Sequence, residues 1–141
     1  MGLNDYQDYF TLSYDQFITE NDVQSSQIHK DVSYEKITSV TRVSLGDGKN
    51  FYFKEGKLKL IYISRDTLTK KLWNEFKSIT NTSEKRVRSR AGKTANQLIF
   101  AAHGITASVT KDEVNFIEIY PPCSLEYYLE NIYKEPRPFI R

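Results

Sequence analysis

Beyond residue 36 the apolar positions switch between a two-residue and a helical period, and each switch marks an element. Ile37, Val40, Val43 and Leu45 lie in a Thr/Ser/Val-rich run that favours a strand. Gly46-Asp47-Gly48 reads as a turn, Phe51-Tyr52-Phe53 as a short strand, and Glu55-Gly56 as a second turn in which Gly supplies positive φ. Leu58, Leu60 and Tyr62 alternate with Lys57, Lys59, Ile61 and Ile63, and the run ends almost wholly apolar, as a central strand does. A helix follows, with Asp66 as its expected N-cap. Leu68, Leu72, Trp73, Phe76 and Ile79 fall on one face, and Lys70, Lys71, Asn74, Glu75 and Lys77 on the other. Asn81 to Ala95 is a charged connector.

Three further strands are expected at Gln97 to Ala102, Ile105 to Thr110 and Val114 to Tyr120, with turns at His103-Gly104 and Lys111-Asp112-Glu113. Pro121-Pro122 stops the last of these, because proline cannot donate to a ladder. Ser124 then caps a helix whose stripe is Leu125, Tyr128, Leu129 and Ile132, and Pro136 and Pro138 end it. Before residue 36, Tyr6, Tyr9, Phe10, Tyr14 and Phe17 have helical spacing, with Ser13 as a cap for a helix starting at Tyr14. Asn21 to Ser33 reads as loop.

The expected fold is a single α+β domain. Residues 36–141 form its core, in the order β-β-β-α-β-β-β-α. A mostly antiparallel sheet of about six strands carries both helices on one face. Residues 1–35 form an acidic, Tyr-rich segment, helical and irregular. The two halves of the core share a pattern, a hint of pseudo-two-fold architecture.

Composition adds one strong feature. The net charge is +2, yet residues 1–35 hold seven acids and a single base, Lys30, while the remainder holds 19 bases and 11 acids. Either the two parts neutralise each other within the fold, or an acidic face stands beside a basic body. The chain of 141 residues is long enough to fold without disulfide or metal. Cys123 is the only cysteine, so no internal disulfide forms. Met1 to Phe10 lacks the features of a signal peptide, position 6 is Tyr where a myristoylation motif needs Ser or Thr, and no apolar run reaches membrane-spanning length. A cytoplasmic protein is expected, or one whose export signal has been removed.

Candidate chemistry is sparse. Gly92-Lys93-Thr94 looks like the end of a P-loop, but Val87 stands where the motif needs its first Gly. His29 and His103 have no Cys or His at ligand spacing, so no metal and no cofactor is expected. Cys123 precedes a helix N-terminus, which would activate a nucleophile. A small residue in a helix-entry turn explains it more simply. Asp112 with Glu113, and Glu126 with Glu130, are surface acids rather than a buried catalytic pair. In the basic run that ends at Lys93, Arg86, Arg88 and Arg90 alternate as a comb for anions, and the run supports an alternative function as a nucleic-acid-binding accessory.

The stretch Phe116-Ile-Glu-Ile-Tyr-Pro-Pro-Cys-Ser-Leu-Glu-Tyr-Tyr, with Tyr133-Lys-Glu-Pro-Arg-Pro-Phe139, resembles the C-terminal end of immunity proteins that neutralise bacterial toxins. The resemblance implies a non-enzymatic protein-binding module that blocks a cognate toxin domain. The acidic segment would suit a basic toxin cleft, with Asp5, Asp8, Tyr9, Tyr14, Asp15, Glu20 and Asp22 as contact residues.

Overall fold

Tight turns set the topology of the sheet. Between β3 (Lys49–Lys54) and β4 (Lys57–Ser64), Glu55 and Gly56 both take positive φ, 53° and 81°. That pair of left-handed residues matches the right-handed twist of the strands it joins, and Gly adopts it without steric cost. The computed structural model describes residues 1–46, 48–79 and 84–137. Asp47 of the expected Gly46-Asp47-Gly48 turn, Asn81 at the start of the connector, and Pro138 and Phe139 lie outside the described residues.

The remaining strands are β1 (Ile28–Tyr34), β2 (Ile37–Leu45), β5 (Lys85–Arg88), β6 (Asn96–Phe100), β7 (Ile105–Thr110) and β8 (Glu113–Ile119). They form one eight-stranded sheet in the order β1-β2-β3-β4-β8-β7-β6-β5, with every neighbouring pair antiparallel. Two four-stranded meanders therefore meet at β4 and β8, where Ile61 pairs with Ile119 and Ile63 with Ile117. The strand order is palindromic about this seam.

The sheet has eight strands rather than about six because both edges are strands. β1 falls in the expected loop Asn21 to Ser33, and β5 in the expected connector. Both carry charged, exposed residues, including Lys30 and Asp31 on β1 and Lys85, Arg86 and Arg88 on β5. An edge strand needs no apolar alternation, and charge there discourages pairing with other chains. Segment 133–137 also ties down β5: Tyr133 donates its hydroxyl to the Arg88 carbonyl at 2.7 Å, and Arg88 donates to the Pro136 carbonyl at 2.7 Å.

Four helices complete the fold: α1 (Leu3–Asp8), α2 (Tyr14–Glu20), α3 (Lys70–Ile79) and α4 (Leu125–Asn131). Ser13 caps α2 by accepting from the Gln16 amide at 3.2 Å, and Ser124 caps α4 by accepting from the Tyr127 amide at 3.0 Å. Asp66 does not cap α3. It lies in a short 3₁₀ turn, Arg65–Thr67, and the helix starts later, with the Thr69 hydroxyl accepting from the Leu72 amide at 3.2 Å.

The helices occupy opposite faces of the sheet, not one. Leu72 and Phe76 of α3 join Val43, Phe51, Ile63 and Ile117 on the first face, where Tyr6 of α1 and Phe17 of α2 are also buried. Tyr128 of α4, with Ile132 just beyond it, packs against Val40, Tyr52, Leu60 and Ile99 on the second face. The reason lies in the central strands: Phe51 and Tyr52, or Leu60 and Ile61, are neighbours buried on opposite sides. One helical layer would leave half of them in water. The N-terminal segment is part of the core. The Phe17 ring is fully buried, with centroids 4.7 Å from Phe51 and 5.1 Å from Phe53. Replacing it by alanine, Phe17→Ala, is expected to cost about 3–5 kcal/mol in urea unfolding, whereas Asp15→Ala on the same helix should cost under about 0.5 kcal/mol.

Candidate functional site

The second face carries a buried polar network centred on Glu118 of β8, whose side chain is 1% exposed. Tyr34 from the end of β1 and Tyr128 from α4 each donate a hydroxyl to one of its carboxylate oxygens. Tyr128 in turn accepts from the Gln97 amide at 2.9 Å, and Tyr34 from Arg90 at 3.0 Å. Arg90 closes the cluster: it lies 2.8 Å from Glu35 and 4.0 Å from Glu118, with its guanidinium 4.4 Å from the Phe116 ring centre and 5.0 Å from that of Tyr34. Burial pushes the Glu118 carboxyl above its ordinary range, while the two tyrosine hydrogen bonds and the Arg90 charge pull it back down. Burial and the Glu118 charge push Tyr34 and Tyr128 well up, which keeps both as donors.

Sequence reasoning missed Glu118, although a signal existed. It is the one acid within the apolar run from Phe116 to Tyr120, at an inward position. Its partners come from residues 34, 90 and 128, which no spacing rule connects.

This network also engages part of the anion comb. Arg86 and Lys93 are exposed. Arg88 is engaged by Glu135 at 3.5 Å and by the Pro136 carbonyl. Arg90 is turned inward on Glu35 and Glu118. Two of the four cations are thus engaged within the chain, Arg90 by carboxylates and Arg88 by segment 133–137, and both keep part of their side chains exposed.

The acidic segment packs against the sheet. Tyr9 packs edge-on against Phe51 at 5.1 Å, and Tyr14 against Phe53 at 5.2 Å, so both rings face the core. Asp5, Asp8, Asp15, Glu20 and Asp22 stay exposed on the outside of the same layer. Asp5 accepts from the Gly2 amide at 2.8 Å, which together with the nearby Lys71 holds its carboxyl below the ordinary range. Only two ion pairs link residues 1–35 to the rest among the described residues, Asp5 with Lys71 at 4.0 Å and Glu35 with Arg90. Asp8, Asp15, Glu20 and Asp22 form none. Glu20 ends α2 and Asp22 follows it at φ 48°, so two acids sit at the negative end of a helix dipole without a cation.

Cys123 is half-buried, and burial followed by the Glu84 charge pushes its thiol up, the reverse of what a nucleophile needs. No hydrogen bond joins it to His29 or His103 among the described residues. Nor do any three His, Cys, Asp or Glu side chains there cluster to hold a metal. No helix among the described residues is long and apolar enough to cross a membrane. Cys123 lines an open cleft of about 910 Å³ at one end of the sheet, between residues 10–13, the turns at 36–37 and 54–59, and α4. Compared with known proteins, the chain matches no family model, no curated protein and no solved structure.

Two outcomes follow from this geometry. Arg90→Gln leaves Glu118 without its cation and should cost about 2–3 kcal/mol near neutral pH, less than for a fully buried pair, because 35% of the Arg90 side chain meets solvent. The raised Glu118 carboxyl favours the folded state while neutral and loses that contribution as pH rises through its folded value. The penalty in urea unfolding should therefore shrink toward about pH 4. Iodoacetamide should modify Cys123 more slowly near neutral pH than it modifies an unstructured cysteine peptide.

Proposed function

We propose that the chain is a non-enzymatic, cytoplasmic protein-binding module of the immunity type, which grips a basic bacterial toxin domain through the acidic outer surface of α1 and α2. One observation carries the reading: Asp8, Asp15, Glu20 and Asp22 are exposed and form no ion pair among the described residues, on a layer whose underside is locked into the core by Tyr9, Tyr14 and Phe17. A fold that used these acids for its own stability would pair them. Glu20 and Asp22 instead act against their own helix dipole. A rigid, unpaired acidic surface steers a basic partner quickly and loses little entropy on binding. The rings of Tyr9 and Tyr14 serve as underpinning in this reading, with the carboxylates making the contacts.

The nucleic-acid alternative is less well supported, since Arg88 and Arg90 are engaged within the chain.

Charge reversal separates function from folding. Glu20→Lys removes a dipole conflict and should raise stability by about 0.3–1 kcal/mol in thermal unfolding. Combined with Asp15→Lys and Asp22→Lys, it should weaken binding to the neighbouring gene product, which this reading predicts to be the toxin, by at least about tenfold in calorimetry, mostly through slower association and with a steep dependence on salt. Unchanged affinity in the triple variant, or no heat with the wild-type chain, would sink the reading.

A further inference from the structure

The cleft at the end of the sheet has a chemistry opposite to that of the acidic layer, and nothing described so far uses it. Lys36, Lys54, Lys57 and Lys59 line it, together with a single acid, Glu55, and no arginine. Lys36 donates to the Leu129 carbonyl at 3.0 Å and Lys54 to the Thr38 carbonyl at 2.9 Å. Each ammonium is thereby held in place with donors to spare. None of the four lysines forms an ion pair among the described residues. The walls between them are apolar, and the Tyr127 side of α4 stands open at 49% exposure, rare for a large apolar residue here. Pro121 and Pro122 stiffen one wall.

We infer that this cleft is a second binding site, one that takes an extended acidic peptide segment of a protein partner carrying apolar side chains between its carboxylates. Several observations select that occupant. A single phosphate or planar carboxylate is best gripped by an arginine fork, whereas separate ammoniums on two hairpins match charges spaced along a chain. The volume of about 910 Å³ is near the upper end for small-molecule pockets, and the cleft is open rather than enclosed. The apolar floor accepts the intervening side chains, while a walled cleft does not seat a flat lipid surface.

The test uses the full chain and a fluorescein-labelled synthetic peptide alternating glutamate with leucine and phenylalanine. Fluorescence polarisation should show saturable binding, at least about tenfold weaker for the same peptide with glutamine in place of glutamate, and weakened by a similar factor in Lys57→Glu/Lys59→Glu. Tyr127→Ala, at an exposed position, should weaken it without altering the melting curve. Saturating peptide should slow alkylation of Cys123, which lines the cleft, and Glu20→Lys should leave peptide binding unchanged. The inference fails if neither peptide binds, if both bind equally, or if the double lysine variant keeps full affinity. It fails equally if millimolar inorganic phosphate alone displaces the peptide, which marks a small-anion site. Phosphatidylserine vesicles binding with the same lysine dependence while the peptide does not would assign the surface to membranes instead.

Discussion

Glu118 cannot sit in the middle of the sheet without donors, and the second face is arranged around that constraint. A buried carboxylate without partners costs several kcal/mol. Here the donors arrive from three remote parts of the chain: Tyr34 at the end of an edge strand, Tyr128 on the last helix and Arg90 in the loop after β5. Meeting the requirement therefore pins β1, α4 and that loop to the same few ångströms. It also ties Arg90 of the basic run to Glu35 and Glu118.

The first face follows a different logic. It is apolar and aromatic throughout, and it is covered by helices whose inner sides supply the rings of Tyr6, Tyr9, Tyr14 and Phe17. Packing does that work, and of the outer carboxylates Asp8, Asp15, Glu20 and Asp22 form no ion pair among the described residues. The charge asymmetry along the sequence thus becomes an asymmetry in space: an acidic layer over the first face and a lysine-lined cleft at one end of the sheet. Apolar packing under the acids and backbone-anchored ammoniums in the cleft keep both surfaces rigid, which suits contact with other molecules.

Some of the candidate site was legible and some was not. The acids from Asp5 to Asp22 stand out by counting, and the exposure of Asp15 and Glu20 follows from Phe17 and Tyr14 claiming the inward side of the same helix. The inward turn of Tyr9 was less visible, because an aromatic residue in a polar stretch reads equally well as a contact residue. In the sequence, Lys57 and Lys59 stand out only as alternating positions of a strand. Lys36 and Lys57 are 21 positions apart in the sequence, and only the alignment of two hairpin turns at one end of the sheet brings them to the same cleft.

Taken alone, the sequence determined what depends on near neighbours. Alternation placed the central strands, Gly56 placed a tight turn, and Ser13 and Ser124 placed helix starts, because pleat, turn and cap are each decided within a few residues. Tertiary structure alone decided the two edge strands, the division of the helices between two faces, and the partners of Glu118. An edge strand is defined by the neighbour it lacks, and a central strand that is apolar on both sides does not say which helix covers which side. A buried charge is satisfied by whatever the fold brings within reach. The last of these depends on contacts as remote as that of Tyr34 with Glu118, and no local pattern encodes it.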